Sequence, residues 1–193
     1  MRVDSQEIAG QARNDEASFK TNLFFVNTIM TNTAILLLGA NLGNEKILFA
    51  QVRTLCEQRI GSIAAQSKLY TSKAWGFEHE NLFYNQVLVV HTQKNAHETL
   101  QECLTIENEL GRVRSQSVGY EARVIDVDIE YFNSDVIETP DLQVPHPLLH
   151  EREFALLPLC EIIPDFVHPV LGKTQRELLT HCQKILFAHN GNT

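Results

Sequence analysis

Asp126 and Asp128 stand one residue apart in Arg123-Val124-Ile125-Asp126-Val127-Asp128-Ile129. Alternating apolar residues mark this segment as a strand, and side chains two apart on a strand share a face. Two strand rises separate the carboxylates by roughly 6.5 Å at the backbone. From there the side chains can converge on a pair of hard cations, which in two-metal sites lie about 3.5–4 Å apart. Two adjacent carboxylates repel each other, and a cation relieves that repulsion. Magnesium suits them, since it takes oxygen ligands from one or two carboxylates and from phosphates. Alone, such a pair on an exposed strand face is simply solvated. Arg123 leads into the strand, however, and Arg112 and Arg114 come just before it. Guanidinium groups grip phosphate oxygens bidentately. Acid for metal beside base for phosphate implies chemistry on a nucleotide. Glu130 shares the aspartate face one step further along and reads as a solvated glutamate.

A second constellation suits a flat ring. It comprises Trp75, Phe83, Tyr84 and Asn85. Phe83 and Asn85 are two apart on a strand and point to one face, so an aromatic ring can stack on a heterocycle while the amide reads its edge. The competing reading is a core aromatic beside a turn asparagine. Gly39-Ala40-Asn41-Leu42-Gly43 lacks both the P-loop ending and the dinucleotide spacing, and reads as a tight turn. His91, His97 and His168 are assigned nothing.

The elements that must position these groups follow from periodicity. Ala34–Leu38 reads as a buried strand, and Asn44 to Arg59 as a helix with Ile47, Leu48, Val52 and Leu55 near one face, stopped by Gly61. Ser62–Tyr70 and Leu82–Thr92 read as strands, with a loop over 71–81 between them. Asn95 caps a helix to Leu110, closed by Gly111, with Glu107 on its apolar face. A second long loop, 112–122, leads into the aspartate strand. Long loops in a compact domain are more often functional, and these two are natural lids. Val144-Pro145-His146-Pro147 forms a rigid extended turn, followed by helices over 151–161 and 174–187. The order is the ferredoxin-like β-α-β-β-α-β plan. The expected class is α+β: an antiparallel sheet with helices on one side and additional C-terminal helices.

At 193 residues and 44% hydrophobic content the chain is expected to form one domain with a real core. Residues 1–30 read as a loosely ordered extension, with Met30 as an alternative start, and residues 31–193 as the domain. A formal charge of −8 argues against a nucleic-acid binder, including an RNA-recognition module of the same topology. Four widely spaced cysteines without a CxxC read as reduced core residues. No apolar run reaches the roughly 20 residues that span a membrane. The expected state is a cytoplasmic monomer.

An ordered set of motifs then carries a resemblance. It consists of Leu38-Gly39-Ala40-Asn41-Leu42-Gly43, Ser67-x-x-Tyr70, Phe83-Tyr84-Asn85-Gln86, Glu107-x-x-x-Gly111-Arg112-x-Arg114, Arg123-x-x-Asp126-x-Asp128, and Val144-Pro145-His146-Pro147 with Arg152 and Phe154. In this order and spacing the chain resembles the 6-hydroxymethyl-7,8-dihydropterin pyrophosphokinases of folate biosynthesis, over about residues 33–180. The resemblance implies transfer of pyrophosphate from ATP to the pterin hydroxymethyl group. It implies that Asp126 and Asp128 hold two Mg²⁺ ions, with Arg112 and Arg123 beside them as catalytic residues. Arg114, His146 and Arg152 would contact or position ATP, Glu107 would lie near the nucleotide side, and Tyr120 would help close the site. Asn85 would read the pterin edge with backbone groups of Ser72, Lys73 and Trp75, while Phe83 and Phe154 sandwich the ring. Three departures stand out: Glu121-Ala122 before Arg123, Glu130 where the family prefers an apolar residue, and Ser72-Lys73-Ala74 where it often carries proline. The competing reading is a non-catalytic ferredoxin-like ligand-binding module.

Overall fold

Ala34-Ile35-Leu36-Leu37-Leu38 is apolar at every position because its strand is covered on both faces. That strand, β1, runs over Asn32–Ala40 in the computed structural model, which describes residues 31–42, 44–76, 79–111 and 124–190. The expected extension over 1–30 lies outside the described residues, as do Arg112, Arg114 and Tyr120 of the loop expected over 112–122, and Arg123 after it.

After β1 come α1 (Glu45–Arg59), β2 (Ser62–Gln66), β3 (Tyr70–Ser72), β4 (Phe83–Thr92), α2 (Ala96–Glu109) and β5 (Asp126–Phe132). The strand order is β2-β4-β1-β5, with β3 also paired to β4. Each of these pairings is antiparallel. Hence β1 and β2 run parallel with β4 between them, and β4 and β5 run parallel with β1 between them. These are the two split β-α-β units of the ferredoxin-like plan. Both α1 and α2 start where a side chain takes over an orphan backbone donor. Asn44 accepts from Ile47 N, and Asn95 forms a reciprocal capping box with Glu98. Gly111, at φ 92°, ends α2 in the left-handed region.

Three expectations shift. The strand expected over Ser62–Tyr70 is broken at Ser67, whose Oγ accepts from Val87 N at 3.0 Å and so takes a ladder donor for itself. Gly39 and Ala40 belong to β1 and not to a loop, since they pair with Asn85 and Tyr84. On α1 the buried face is Leu48, Phe49, Val52 and Cys56, while Ile47 is 59% exposed.

The remaining elements are a hairpin of β6 (Ile137–Glu138) and β7 (Gln143–Val144), a short 3₁₀ turn over Leu149–Glu151, α3 (Glu153–Ile162) and α4 (Gln175–Asn190). α1 and α2 cover one face of the sheet, where Phe49, Val52, Cys103 and Ile106 join Leu36, Leu38 and Leu88. The C-terminal helices cover part of the other face, where Leu156, Leu159 and Leu178 join Ile35, Leu37, Val87 and Tyr131. Each such side chain contributes about 1.5–3 kcal/mol by leaving water. All four cysteines are free, as expected. Among the described residues no helix is long and apolar enough to cross a membrane.

Candidate active site

Where α3 and α4 leave the second sheet face uncovered, a cavity of about 300 Å³ opens, the lower end of the range for small-molecule sites. Its floor is one row across three strands. Gly39 of β1 lies opposite Asn85 of β4 on one side and opposite Asp126 of β5 on the other. In the next row Leu37 lies between Val87 and Asp128. The Asn85 amide and the paired carboxylates therefore open into one space.

Gly39 was missed as a functional residue because its motif reads as a turn. A Cβ built on it would lie 3.8 Å from Asn85 Oδ1 and 4.0 Å from Asp126 Cβ, which is ordinary contact. Anything larger fills the floor. Gly39→Ala is expected to stay near wild type, whereas Gly39→Val should weaken binding of the pterin that the resemblance implies by about tenfold, the order of a lost well-packed contact. Pterin titration alongside a melting curve checks this, and unchanged binding in Gly39→Val would remove the residue from the floor.

On the ring side, Asn85 is 3% exposed and its Nδ2 donates to Ser72 Oγ at 3.1 Å. β3 brings Ser72 there by pairing it with Phe83. Phe83, Trp75 and Phe154 all line the cavity, with Trp75 and Phe154 edge to face at 6.5 Å. Lys73 lines it from an exposed position.

On the carboxylate side, Asp126 and Asp128 are half-buried and line the cavity, while Val127 between them points into the core. β5 is an edge strand, so its outward backbone groups need partners. Glu107, 1% exposed at the end of α2, supplies one: its Oε1 accepts from Val127 N at 2.9 Å. Sequence reasoning placed Glu107 on the nucleotide side. The structure gives its carboxylate a grip on the strand that carries the aspartates. The Glu130 carbonyl is matched by His146 N at 3.1 Å, which brings the end of the Val144–Pro147 turn to the site.

His146 Nε2 lies 3.2 Å from Arg152 Nη1. The other ring nitrogen, Nδ1, accepts from Leu148 N at 3.3 Å. Burial, then the Arg152 charge, pushes the His146 pKa down to about 4. The Arg152 guanidinium carbon lies 4.9 Å from the Trp75 ring centroid and 5.8 Å from that of Phe154. Arg152 thus lies between His146 and the aromatic pair Trp75 and Phe154. Glu130 is not a solvated glutamate: it is fully buried. Burial, then the Asp128 charge, raises its pKa to about 8, against the pull of Arg152. Of the predicted site residues, the fold gathers Ser72, Lys73, Trp75, Phe83, Asn85, Asp126, Asp128, His146, Arg152 and Phe154 around one cavity.

The class that the fold and site define is an antiparallel ferredoxin-like domain with an amide-and-aromatic pocket on one strand and paired carboxylates two strands away, all on one cavity. The comparisons with known proteins make this specific. Residues 35–164 match the family described as 7,8-dihydro-6-hydroxymethylpterin-pyrophosphokinase. The chain belongs to that family. It is 37% identical over 145 residues to the 2-amino-4-hydroxy-6-hydroxymethyldihydropteridine pyrophosphokinase of Aquifex aeolicus, covering 75% of this chain and 89% of the relative. It is 38% identical over 165 residues to folic acid synthesis protein FOL1 of Dictyostelium discoideum, covering 83% of this chain but only 23% of that protein. Among solved structures it superposes on Plasmodium falciparum HPPK-DHPS with pteroate, with a TM-score of 0.69 and 18% identity, over 84% of this chain and 46% of that one. That likeness shows the fold. The chain spans under a quarter of the Dictyostelium protein and about half of the Plasmodium chain.

Proposed function

We propose that this chain transfers pyrophosphate from ATP to the hydroxymethyl group of 6-hydroxymethyl-7,8-dihydropterin, giving AMP and the pterin diphosphate, in tetrahydrofolate biosynthesis. The observation that carries the reading is the row Asn85, Gly39, Asp126, which sets a ring-reading amide and a phosphate-side carboxylate on one cavity floor. Family membership and the bacterial relative's name support the same reaction.

Asn85 reads the donor and acceptor edge of the pterin, while Phe83 and Phe154 flank the ring. The substrate hydroxyl attacks the β-phosphorus in line. The bond from that phosphorus to the α,β-bridging oxygen breaks, AMP leaves with the bridging oxygen, and the hydroxyl proton is released. Arg152 and His146 position the triphosphate, as do Arg112, Arg114 and Arg123 on the loop with Tyr120. Asp126 and Asp128 fit two Mg²⁺ ions, being an oxygen-only carboxylate pair on one face of a strand. When bound, the ions neutralise charge on the transferring phosphates. Positioning and charge neutralisation carry most of such a transfer. The working unit is residues 31–193, acting as a cytoplasmic monomer on small-molecule substrates.

The test supplies ATP, Mg²⁺ and the hydroxymethyl dihydropterin and separates the nucleotide products. AMP and pterin diphosphate in equal amounts are expected. Release of ADP would replace the reaction class, and binding without turnover would favour a non-catalytic ligand-binding module.

A further inference from the structure

We propose that Trp75 is a positioning residue for Arg152: its indole face holds the guanidinium where the triphosphate binds. This rests on the reaction proposed above. The resemblance gives Trp75 backbone groups alone, at the edge of the pterin. Its side chain has a contact of its own. The Arg152 guanidinium carbon lies 4.9 Å from the centroid of the indole ring. That is inside the roughly 6 Å at which a cation is drawn to an aromatic face. Trp75 is half-buried and lines the same cavity as Arg152, which is 7% exposed. Such an attraction strengthens as water is removed.

Arg152 stands immediately before α3, at its N-cap, with extended backbone. An arginine side chain has many rotamers, and each one surrendered on binding weakens affinity. On one side its Nη1 lies 3.2 Å from His146 Nε2. A contact at one nitrogen leaves the plane of a guanidinium undetermined, whereas a flat ring beside its carbon restricts that plane. Trp75 supplies the ring from the loop after β3. Ser72, three residues ahead of it, pairs with Phe83 of β4, and Gly76 follows it at φ 80°, in the left-handed region. The indole also meets Phe154 edge to face at 6.5 Å, and Phe154 lies in the first turn of α3, two residues after Arg152. The loop that carries Trp75 is thereby tied to the start of α3 at two points. Trp75 is the only tryptophan in the chain, so its emission reports on this one place.

The experiment makes Trp75→Leu and Trp75→Phe in the wild-type chain, and Trp75→Leu in an Arg152→Met background. It measures kcat, KM for both substrates, and the dissociation constant of α,β-methylene ATP with Mg²⁺, an analogue that cannot break at the reacting bond. Trp75→Leu should raise KM for ATP and the analogue's dissociation constant by about tenfold, with kcat within about threefold, the size of a cation–π contact in a partly dry site. Trp75→Phe keeps a ring face and should recover most of that loss. In the Arg152→Met background Trp75→Leu should change either constant by less than about twofold. In the wild type the analogue should shift the Trp75 emission, because the triphosphate offsets the charge beside the indole, and this readout needs no variant to fold. Unchanged ATP constants in Trp75→Leu overturn the inference. So does an equal loss in both backgrounds, a loss confined to the pterin, an equal loss in Trp75→Phe, or an emission that ignores the analogue. If the wild type releases no AMP, the proposed reaction falls, and analogue binding still decides the contact.

Discussion

Asp128→Asn should lower turnover by about a thousandfold while pterin binding stays within about twofold, because metal-based charge stabilisation contributes several kcal/mol to such a barrier. The amide keeps the shape of the side chain and removes its charge, so the metal site proposed at this pair would lose an anionic ligand. The ring pocket is left alone, since Asn85 lies in another strand row. Nor should the variant unfold. Asp128 is only half-buried and the amide keeps its shape, so the melting temperature should hold. Single-turnover AMP release, pterin titration and a melting curve check the three parts. Turnover equal to wild type would take the metal role away from Asp128.

Asn85→Leu should do the reverse. Asn85 is nearly fully buried and is the amide on the cavity floor. Leucine fills a similar volume but leaves the pterin edge facing a methyl group. Two lost hydrogen bonds of this kind weaken binding by about a hundredfold. ATP binding, measured without pterin, should stay unchanged. Ser72→Ala separates recognition from support: it removes only the hydroxyl that orients the amide, and should cost less than about tenfold. If Asn85→Leu binds pterin normally, the ring is read elsewhere.

Much of this arrangement is legible in the chain, for identifiable reasons. The doubly covered strand β1 reads as an unbroken apolar run, the Asn95–Glu98 capping box marks a helix start, and Gly111 marks its end. Asp126 and Asp128 announce themselves through strand alternation. What is not legible depends on register. Nothing in Leu38-Gly39-Ala40 tells that Gly39 will sit between Asn85 and Asp126, because that pairing is set by strands far apart in sequence. The break at Ser67 depends on a hydroxyl capturing the Val87 amide, and a propensity argument sees only a continuous β-rich run. Glu130 reads as solvated because alternation assumes a regular strand, and a bulge in the β1–β5 pairing removes that assumption. Ile47 and Phe49 exchange places because the buried face of α1 is set by which turn of the helix meets the sheet.

The strand row through Gly39 has a further consequence. Asn85 and Asp126 belong to neighbours on either side of the same central strand, so their separation is two hydrogen-bonded strand spacings, roughly 9–10 Å. That length is a ruler made of peptide bonds. No single side-chain replacement can lengthen or shorten it. Variation in substrate fit is therefore confined to what stands on the ruler's marks and to the loops above them. On the proposed reaction, the distance from the ring edge at Asn85 to the phosphates at Asp126 is a property of the sheet itself.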